Sequence, residues 1–300
     1  MRFVLLYLYL HVYLALQPKS NNSKEDDVAE FAQQDFKPSL SDELQDAFDH
    51  DPSIEPVNTP IWREVIWPTE WLRLRTSGVY YGINIPKGKQ QPVLLVPGFM
   101  SSDVVMLELH RWLKRIGYDA HLSRIVFNTD CPNQTGQELI SRIKSIHKES
   151  GQKVTLIGHS LGGMLSKYIA QVEPELVDGV ITLGSPFASL VKAHPSVVGI
   201  WDKLKKSSSG LIGRNLRPSC ATGYCTCGFV KSMIMPQQVD VPQFAVYSKK
   251  DGVADWESCM EDDPSANTEV NSTHIGMIVH PEVYRVIAQR LAQVTEGRSA

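Results

Sequence analysis

Short apolar segments alternate with longer segments of helical periodicity along most of the 300-residue chain. Residues 92–98 form an apolar run closed by a proline and a glycine, which is typical of a parallel strand buried on both faces. In residues 137–147, by contrast, Leu139, Ile143 and Ile146 recur at helical spacing, which predicts an amphipathic helix. The same patterns predict strands at 120–126, 154–157, 179–183, 244–247 and 269–270, and helices at 107–115, 161–172 and 282–294.

The alternation of strands and helices predicts an α/β fold built on a mostly parallel, doubly wound sheet. Right-handed crossovers between successive parallel strands would place helices on both faces of that sheet. Residues 61–85 precede the alternation and are rich in aromatic and β-branched side chains, including Trp62, Trp67 and Trp71. This composition favours an opening hairpin or edge strands.

Residues 187–241 interrupt the pattern. They place about 55 residues between two predicted strands, where a connection of roughly 2–6 residues is usual. The apolar residues stand among lysines and serines, which suits helices with one apolar face. These apolar residues are Val197, Val198, Ile200, Trp201, Leu204, Leu211 and Ile212. We interpret the insertion as a lid over a functional site, and the alternative is a segment packed permanently on the core.

The N-terminal residues differ in composition from the rest of the chain. Residues 1–20 have a short basic start and an apolar body, which indicates a segment similar to a signal peptide or a membrane anchor. The apolar run is shorter than the roughly 20 residues of a spanning helix and lacks a small-residue cleavage site. The sequence therefore leaves open an exported, a membrane-associated and a cytoplasmic location. Residues 21–60 are polar and acidic, which predicts a mobile leader ahead of one domain at 61–300.

Composition and charge narrow the functional classes. A hydrophobic content of 42% is sufficient for one large core. The net charge is −3 and no long basic run is present, so we expect no nucleic-acid partner. The oligomeric state is not decided by the sequence.

The chain has five cysteines, of which Cys220, Cys225 and Cys227 lie close together and Cys131 and Cys259 lie far away in sequence. Their spacing differs from the paired C-x2-C pattern of structural zinc sites, so we expect no metal. If the protein is exported, one or two disulfides are expected, for example within the cluster or from the cluster to Cys259.

The residues most informative about chemistry are Gly158-His159-Ser160-Leu161-Gly162. This G-x-S-x-G segment follows an apolar strand and precedes a predicted helix, as in a nucleophile elbow. The tight turn lifts the serine hydroxyl above the sheet edge, and small neighbours at both glycine positions make room for it. The context therefore predicts that Ser160 is a catalytic nucleophile.

A nucleophilic serine needs a histidine base and a carboxylate that orients the histidine. Asp251 follows the strand predicted at 244–247, and Gly252 permits the turn after it. His274 lies between the last predicted strand and the last helix. We predict Asp251 as the acid and His274 as the base, with Asp255 and His280 as alternatives.

The oxygen of a tetrahedral intermediate needs two hydrogen-bond donors, and rigid backbone N–H groups serve this purpose. Leu161, directly after the nucleophile, is expected to supply one donor. The second is expected from the loop after the strand at 92–98, with Phe99 preferred and Met100 as the alternative.

Together these segments resemble the α/β-hydrolase superfamily, specifically its bacterial lipase- or esterase-like members. The resemblance covers roughly residues 62–291. It is carried by PVLLVPGFMS (92–101), IGHSLGGM (157–164), LGSPF (183–187), YSKKDGVADW (247–256) and STHIGM (272–277). The chain order of nucleophile, acid and base is also that of the superfamily. The resemblance implies hydrolysis of carboxylic esters through an acyl-serine intermediate, with no cofactor.

The substrate class follows from the same resemblance. A small-molecule or lipid ester is expected, and the apolar insertion favours medium or long acyl chains, with contact to a membrane or lipid interface left open. An acyltransferase or a thioesterase would use the same triad. A hydrolase-like binding scaffold without activity is the alternative from a different class.

Overall fold

The computed structural model describes residues 56–188, 192–206, 213, 215–217, 219–220, 222 and 224–297. All of them belong to one compact unit, residues 47–300. The segment predicted at 1–20, nearly all of the leader at 21–60, and Leu211 and Ile212 of the insertion lie outside the described residues.

The described strands form a six-stranded sheet in the order β2-β1-β3-β4-β5-β6, and every neighbouring pair is parallel. The order shows that the chain winds from β1 to one edge and then back across to the other. The strands are β1 (Pro92–Val96), β2 (Asp119–Leu122), β3 (Val154–His159), β4 (Val177–Leu183), β5 (Gln243–Tyr247) and β6 (Asn267–Glu269). The predicted parallel, doubly wound sheet is confirmed.

Helices cover both faces of this sheet. The helices are α1 (Trp67–Thr76), α2 (Asp103–Arg115), α3 (Pro132–Ser150), α4 (Leu161–Val172), α5 (Pro195–Lys206), α6 (Gly228–Ile234) and α7 (Pro281–Gly297). Side chains of α1, α2 and α7 pack on one face in a core that includes Leu95 and Ile157. Side chains of α3, α4 and α6 pack on the other face in a core that includes Leu94 and Leu156. Neighbouring strand residues thus enter opposite cores, because successive side chains of a strand point to opposite faces.

The central strands explain why the apolar runs were recognisable. Every residue of β1, β3 and β4 is buried. A strand covered by helices on both faces has few positions that favour a polar side chain, so its sequence is mostly apolar. The buried polar exceptions in β3 and β4 are Thr155, His159, Asp178 and Thr182.

Strand β2 is shorter than the 120–126 predicted from its sequence. The pairing ends at Leu122, because Ser123 donates its backbone N–H and its hydroxyl to the Asp103 carboxylate, at 3.2 and 2.5 Å. Arg124 then has a positive φ of 72°, which turns the chain away from the sheet.

The prediction of a hairpin or edge strands at 61–85 was wrong. The segment forms a 3-10 helix at Ile61–Ile66, helix α1, and a second 3-10 turn at Gly78–Tyr81. Pro68 lies in the first turn of α1, where backbone N–H groups have no helical acceptor, so a proline costs the helix no hydrogen bond. Within α1, the buried Glu70 and Leu74 are four residues apart on the face toward the core. That helical spacing decides the structure, and the aromatic content alone was misleading.

The insertion contributes α5 and α6. Helix α6 is packed on the core, since Phe229 is 2% exposed and its ring meets the Tyr168 ring edge to face at 5.9 Å. In α5, Trp201 packs edge to face on Phe99, with ring centroids 5.4 Å apart. The interpretation of the insertion as a lid remains a prediction, and it concerns α5 and the residues that flank it.

No helix within the described part of the chain is long and apolar enough to cross a membrane.

Candidate active site

Ser160 stands at the turn between β3 and α4. Its φ of 53° and ψ of −124° lie outside the regions that a residue with a side chain usually adopts, at a cost on the order of 1–3 kcal/mol. The turn has no room beside it: a Cβ on Gly158 would collide with the Gly162 backbone, and a Cβ on Gly162 would collide with the Val96 carbonyl. The chain is therefore held in a strained turn that leaves the Ser160 side chain partly accessible.

Asp251 and His274 form a buried pair beside this turn. The Asp251 Oδ2 and His274 Nδ1 atoms are 2.6 Å apart, and both residues are 4% exposed. The other oxygen, Oδ1, accepts the backbone N–H groups of Val253 at 2.8 Å and Ala254 at 2.7 Å. These donors suit a carboxylate that only accepts hydrogen bonds, so Asp251 is arranged to hold a proton on His274 Nδ1 and leave Nε2 free to accept one.

The electrostatics of His274 favour its protonated form. Burial lowers the pKa of His274, but the charge of Asp251, the hydrogen bond to Asp251 and the charge of Glu64 outweigh burial, so the pKa is raised. An imidazolium formed during a reaction would therefore be stabilised in place.

A short stretch of backbone connects the serine to the buried pair. Ser160 donates its N–H to the Leu183 carbonyl at 2.9 Å. The next residue, Gly184, has a φ of +55°, and a Cβ there would lie 3.1 Å from Asp251 Oδ2 and 3.2 Å from His274 Nδ1. The structure thus brings Ser160, Asp251 and His274 together beyond the carboxyl ends of neighbouring strands, where ligands bind in open α/β sheets.

His159, the residue before Ser160, packs against His274 and hydrogen-bonds to its backbone. Its ring lies 4.7 Å from the His274 ring, and its Nε2 is 2.9 Å from the His274 carbonyl oxygen. Burial and the neighbouring His274 charge lower the pKa of His159 to about 3. His159 is therefore neutral near pH 7 and donates its Nε2 hydrogen to the His274 backbone.

The alternative acid and base lie elsewhere. The Asp255 carboxylate is 3.9 Å from the Lys192 ammonium group, and its backbone carbonyl accepts the Ser258 hydroxyl at 2.6 Å. His280 precedes α7 and accepts the Glu282 backbone N–H at 3.3 Å. The geometry favours Asp251 and His274 over both.

The two predicted oxyanion donors lie next to the serine. Leu161 is the first residue of α4, so its N–H has no intrahelical acceptor. Phe99 follows Gly98, where a Cβ would lie 3.0 Å from the Ser160 Cβ. The alternative, Met100, donates its N–H to the Asn128 carbonyl at 2.9 Å, which makes Phe99 the better candidate.

Two carboxylates near the site were missed by the sequence analysis. Glu64 accepts backbone N–H groups from Gly252, His274 and Ile275, and Glu70 accepts the backbone N–H and the hydroxyl of Thr273. Both come from the segment that was predicted as strands. The helical spacing of Glu70 and the apolar residues around it was the signal that would have placed it inside.

The five cysteines are free thiols, so the disulfides expected within the cluster or to Cys259 are not formed. Cys259 is 1% exposed and donates its thiol to the Asp255 carbonyl at 3.3 Å. Within the described residues, no group of three or more His, Cys, Asp or Glu side chains is placed to hold a metal ion.

Comparison with known proteins bears on the fold. A family model described as "alpha/beta hydrolase fold" matches residues 143–210. A metagenomic carboxyl esterase superposes with a TM-score of 0.52 at 11% identity, covering 96% of this chain and 99% of that one. The chain has the α/β-hydrolase fold. A metagenome-derived lipolytic enzyme superposes on the chain with a TM-score of 0.50 at 17% identity, covering 71% of this chain and 96% of that one.

Curated proteins similar to this chain include triacylglycerol lipases. The proteins from Pseudarthrobacter phenanthrenivorans and Burkholderia plantarii are each 36% identical over 135 residues, which is 40% of this chain. The matched stretch covers 39% and 35% of those two proteins. The chain therefore matches about two fifths of the length of these relatives, and its similarity is to lipases and esterases.

Proposed function

We propose that this α/β-hydrolase cleaves carboxylic esters through an acyl-serine intermediate, with Ser160 as nucleophile, His274 as base and Asp251 as the acid that orients it. The observation that carries the proposal is the buried 2.6 Å contact between Asp251 Oδ2 and His274 Nδ1 beside the strained Ser160 turn. Strain of this kind persists where the surrounding structure enforces it, and it is concentrated at functional sites.

In the first half of the reaction, His274 Nε2 takes the Ser160 proton while the serine oxygen attacks the ester carbonyl carbon. The negative charge that develops on the carbonyl oxygen is met by the N–H groups of Leu161 and Phe99. The alcohol then leaves with the proton from His274. In the second half, water loses a proton to His274 and attacks the acyl carbon, and the acid is released as Ser160 regains its proton.

The relatives support a lipid ester as the substrate. They are triacylglycerol lipases by name, and the Phe99–Trp201 pair puts apolar surface next to the proposed oxyanion residue. We propose that the acyl chain is of medium or long length and that it runs along this aromatic pair.

The proposal is tested by treating the full chain and a Ser160→Ala variant with a fluorophosphonate probe, followed by intact mass measurement. Stoichiometric labelling that disappears in Ser160→Ala, with hydrolysis of p-nitrophenyl esters, is the expected result. Absence of labelling in a folded protein would overturn it and favour the binding scaffold. Product analysis with an added alcohol or thioester distinguishes an acyltransferase or a thioesterase, which use the same triad.

A further inference from the structure

We propose that Glu64 is a positioning residue that locks together the two loops carrying Asp251 and His274 and adds a second negative charge beside the base. The proposal rests on the proposed function of that pair. Glu64 Oε1 accepts the N–H of Gly252 at 2.8 Å and of His274 at 3.0 Å, and Oε2 accepts the N–H of Ile275 at 2.8 Å.

These bonds join segments that are far apart in the sequence. Gly252 directly follows the acid, and the other two donors are the base itself and its neighbour. A single carboxylate therefore sets the separation of the two loops. The fit is tight, since a Cβ on Gly252 would lie 2.8 Å from Glu64 Oε1 and 2.9 Å from the Pro60 carbonyl oxygen. Any loosening at Glu64 would be transmitted to the contact between Asp251 and His274.

The charge of Glu64 acts on His274 as well. Burial raises the pKa of Glu64, whereas the His274 charge and the backbone hydrogen bonds lower it, and the net pKa is raised. Its two oxygens accept three N–H groups, which suits the ionised form. The groups that face His274 are then Asp251 and Glu64, both carboxylates, and the neutral His159. Glu64 thus stabilises the imidazolium in addition to Asp251.

Glu70 provides a matched control. It is 4% exposed, compared with 7% for Glu64, and it holds the same loop through Thr273, at 2.9 Å to the N–H and 2.6 Å to the hydroxyl. Its oxygens, however, bond to Thr273, whereas Glu64 accepts the N–H of His274 itself. A purely structural effect would be common to both residues, and an effect on the base belongs to Glu64 alone.

The decisive experiment is NMR titration of the His274 ring in the free, full-length protein, assigned with a His274→Gln variant. Glu64→Gln is expected to lower the pKa of His274 by about 0.5–1 unit, because it removes a nearby negative charge. Glu70→Gln is expected to leave that pKa unchanged. Glu64→Asp keeps the charge with a shorter reach, so it should retain most of the raised pKa, and it provides a second variant if Glu64→Gln does not fold.

Kinetics provide an independent test. Glu64→Gln is expected to lower kcat by about 10–100-fold with little change in KM, because a small displacement of a reacting group slows the chemical step more than it weakens binding. An unchanged His274 pKa and an unchanged kcat in a folded Glu64→Gln variant would overturn the proposal. Equal losses of kcat in Glu64→Gln and Glu70→Gln, without any change in the His274 pKa, would also overturn it, because they would show that Glu64 has only a structural role. If the wild type hydrolyses no ester but the pKa still shifts, the proposed function fails and the coupling of Glu64 to His274 stands.

A separate observation concerns two thiols. We infer that Cys131 and Cys220 form a disulfide when the protein meets a disulfide oxidant such as oxidised glutathione. Cys220 is buried in a cluster with Trp201, and Cys131 and Phe99 pack against the same cluster. The bond would tie the insertion to the start of α3, next to the proposed oxyanion residue.

The chemistry of Cys131 favours this reaction. The neighbouring Cys220 thiol, the backbone N–H groups of Gln134 and Asn133 and the Arg217 charge outweigh burial and lower the pKa of Cys131 to about 6. This environment favours the Cys131 thiolate, which attacks one sulfur of oxidised glutathione and releases one glutathione. Cys220 then loses its proton and attacks the Cys131 sulfur of the mixed disulfide, releasing the second glutathione. Two thiols are oxidised and one small disulfide is reduced.

Intact mass and non-reducing peptide mapping test this inference. After treatment with oxidised glutathione, the protein should lose the mass of two hydrogens, with Cys131 linked to Cys220. Cys131→Ser should prevent the bond, whereas Cys225→Ser should leave it intact. A link between Cys225 and Cys227 instead, or no mass loss, would overturn it.

Discussion

The two sides of Ser160 are built from opposite chemistry. On one side, the base and the acid are fixed by hydrogen bonds, from the 2.6 Å contact of Asp251 with His274 to the three N–H groups that Glu64 accepts. On the other side, Phe99 and Trp201 pack through their rings at 5.4 Å, with Cys131 and Cys220 beside them. The two sides therefore differ in their contacts: directional bonds fix the groups that we propose to move protons, and non-directional apolar contacts line the proposed path of the acyl chain.

Ser160→Ala removes the proposed nucleophile, which lies between the two sides, and should have the largest effect on activity. We expect kcat/KM for p-nitrophenyl esters to fall by about 10⁴-fold or more, because no acyl-enzyme can form. Thermal unfolding should be little changed, since the substitution removes one partly exposed hydroxyl. A variant with near-normal turnover would remove Ser160 from the mechanism.

Asp251→Asn breaks the hydrogen-bonded side alone. The amide cannot hold the same imidazole tautomer, so we expect kcat to fall by about 10³–10⁴-fold. The matched control is Asp255→Asn, in the same loop, which should cost less than about tenfold. The assignment of the acid would be reversed if Asp255→Asn were inactive and Asp251→Asn active.

Trp201→Ala breaks the apolar side. Trp201 is 7% exposed, and its loss removes the ring that supports Phe99. We expect kcat/KM for long-chain esters to fall by about tenfold and for acetate esters by much less, since buried apolar area scales with chain length. A series of p-nitrophenyl esters from acetate to palmitate measures this. Equal losses at every chain length would contradict a role in acyl binding.

The pH dependence of activity is the smallest expected effect, and it tests the hydrogen-bonded side of Ser160. The base must be neutral to act, and Asp251 and Glu64 raise the pKa of His274 above its usual value of about 6.5. Activity should therefore fall as the pH drops through that raised pKa, and the acid limb of kcat/KM should lie above about pH 6.5. Trp201→Ala should leave the limb in place, whereas Glu64→Gln should move it to lower pH. A wild-type limb well below pH 6 would be inconsistent with this electrostatic account.

The sheet and the elbow were predictable because their causes are local in sequence. A strand covered on both faces is mostly apolar, as β1, β3 and β4 are, although β3 and β4 also bury a few polar side chains such as Asp178. A serine lifted above a sheet edge needs small neighbours in the turn. A Cβ at Gly158 or Gly162 would collide with backbone atoms, so only glycine fits at both positions. The positions of Ser160, Asp251 and His274 relative to those strands could therefore be placed from the sequence, although their catalytic roles stay a proposal.

The structure of residues 61–85 and the contacts of Glu64 could not be predicted from local sequence patterns. Its tryptophans suggested strands, yet it forms α1 and two 3-10 turns. Glu64 resembles any acidic residue of a surface segment until the fold brings it to Gly252 and His274, 188 and 210 residues away in sequence. The proximity of Cys131 to Cys220 is likewise absent from their spacing in the chain.

By itself, the sequence determined the alternation of strands and helices, the parallel sheet and the serine turn, because apolar periodicity and glycine positions act over a few residues. Only the tertiary structure decided which carboxylate pairs with His274, which backbone N–H near Phe99 is already bonded, and which buried charge holds the two loops together. Those choices depend on distances between residues that the chain separates widely, and a hydrogen bond of 2.6–3.0 Å is made or lost by displacements of about an ångström.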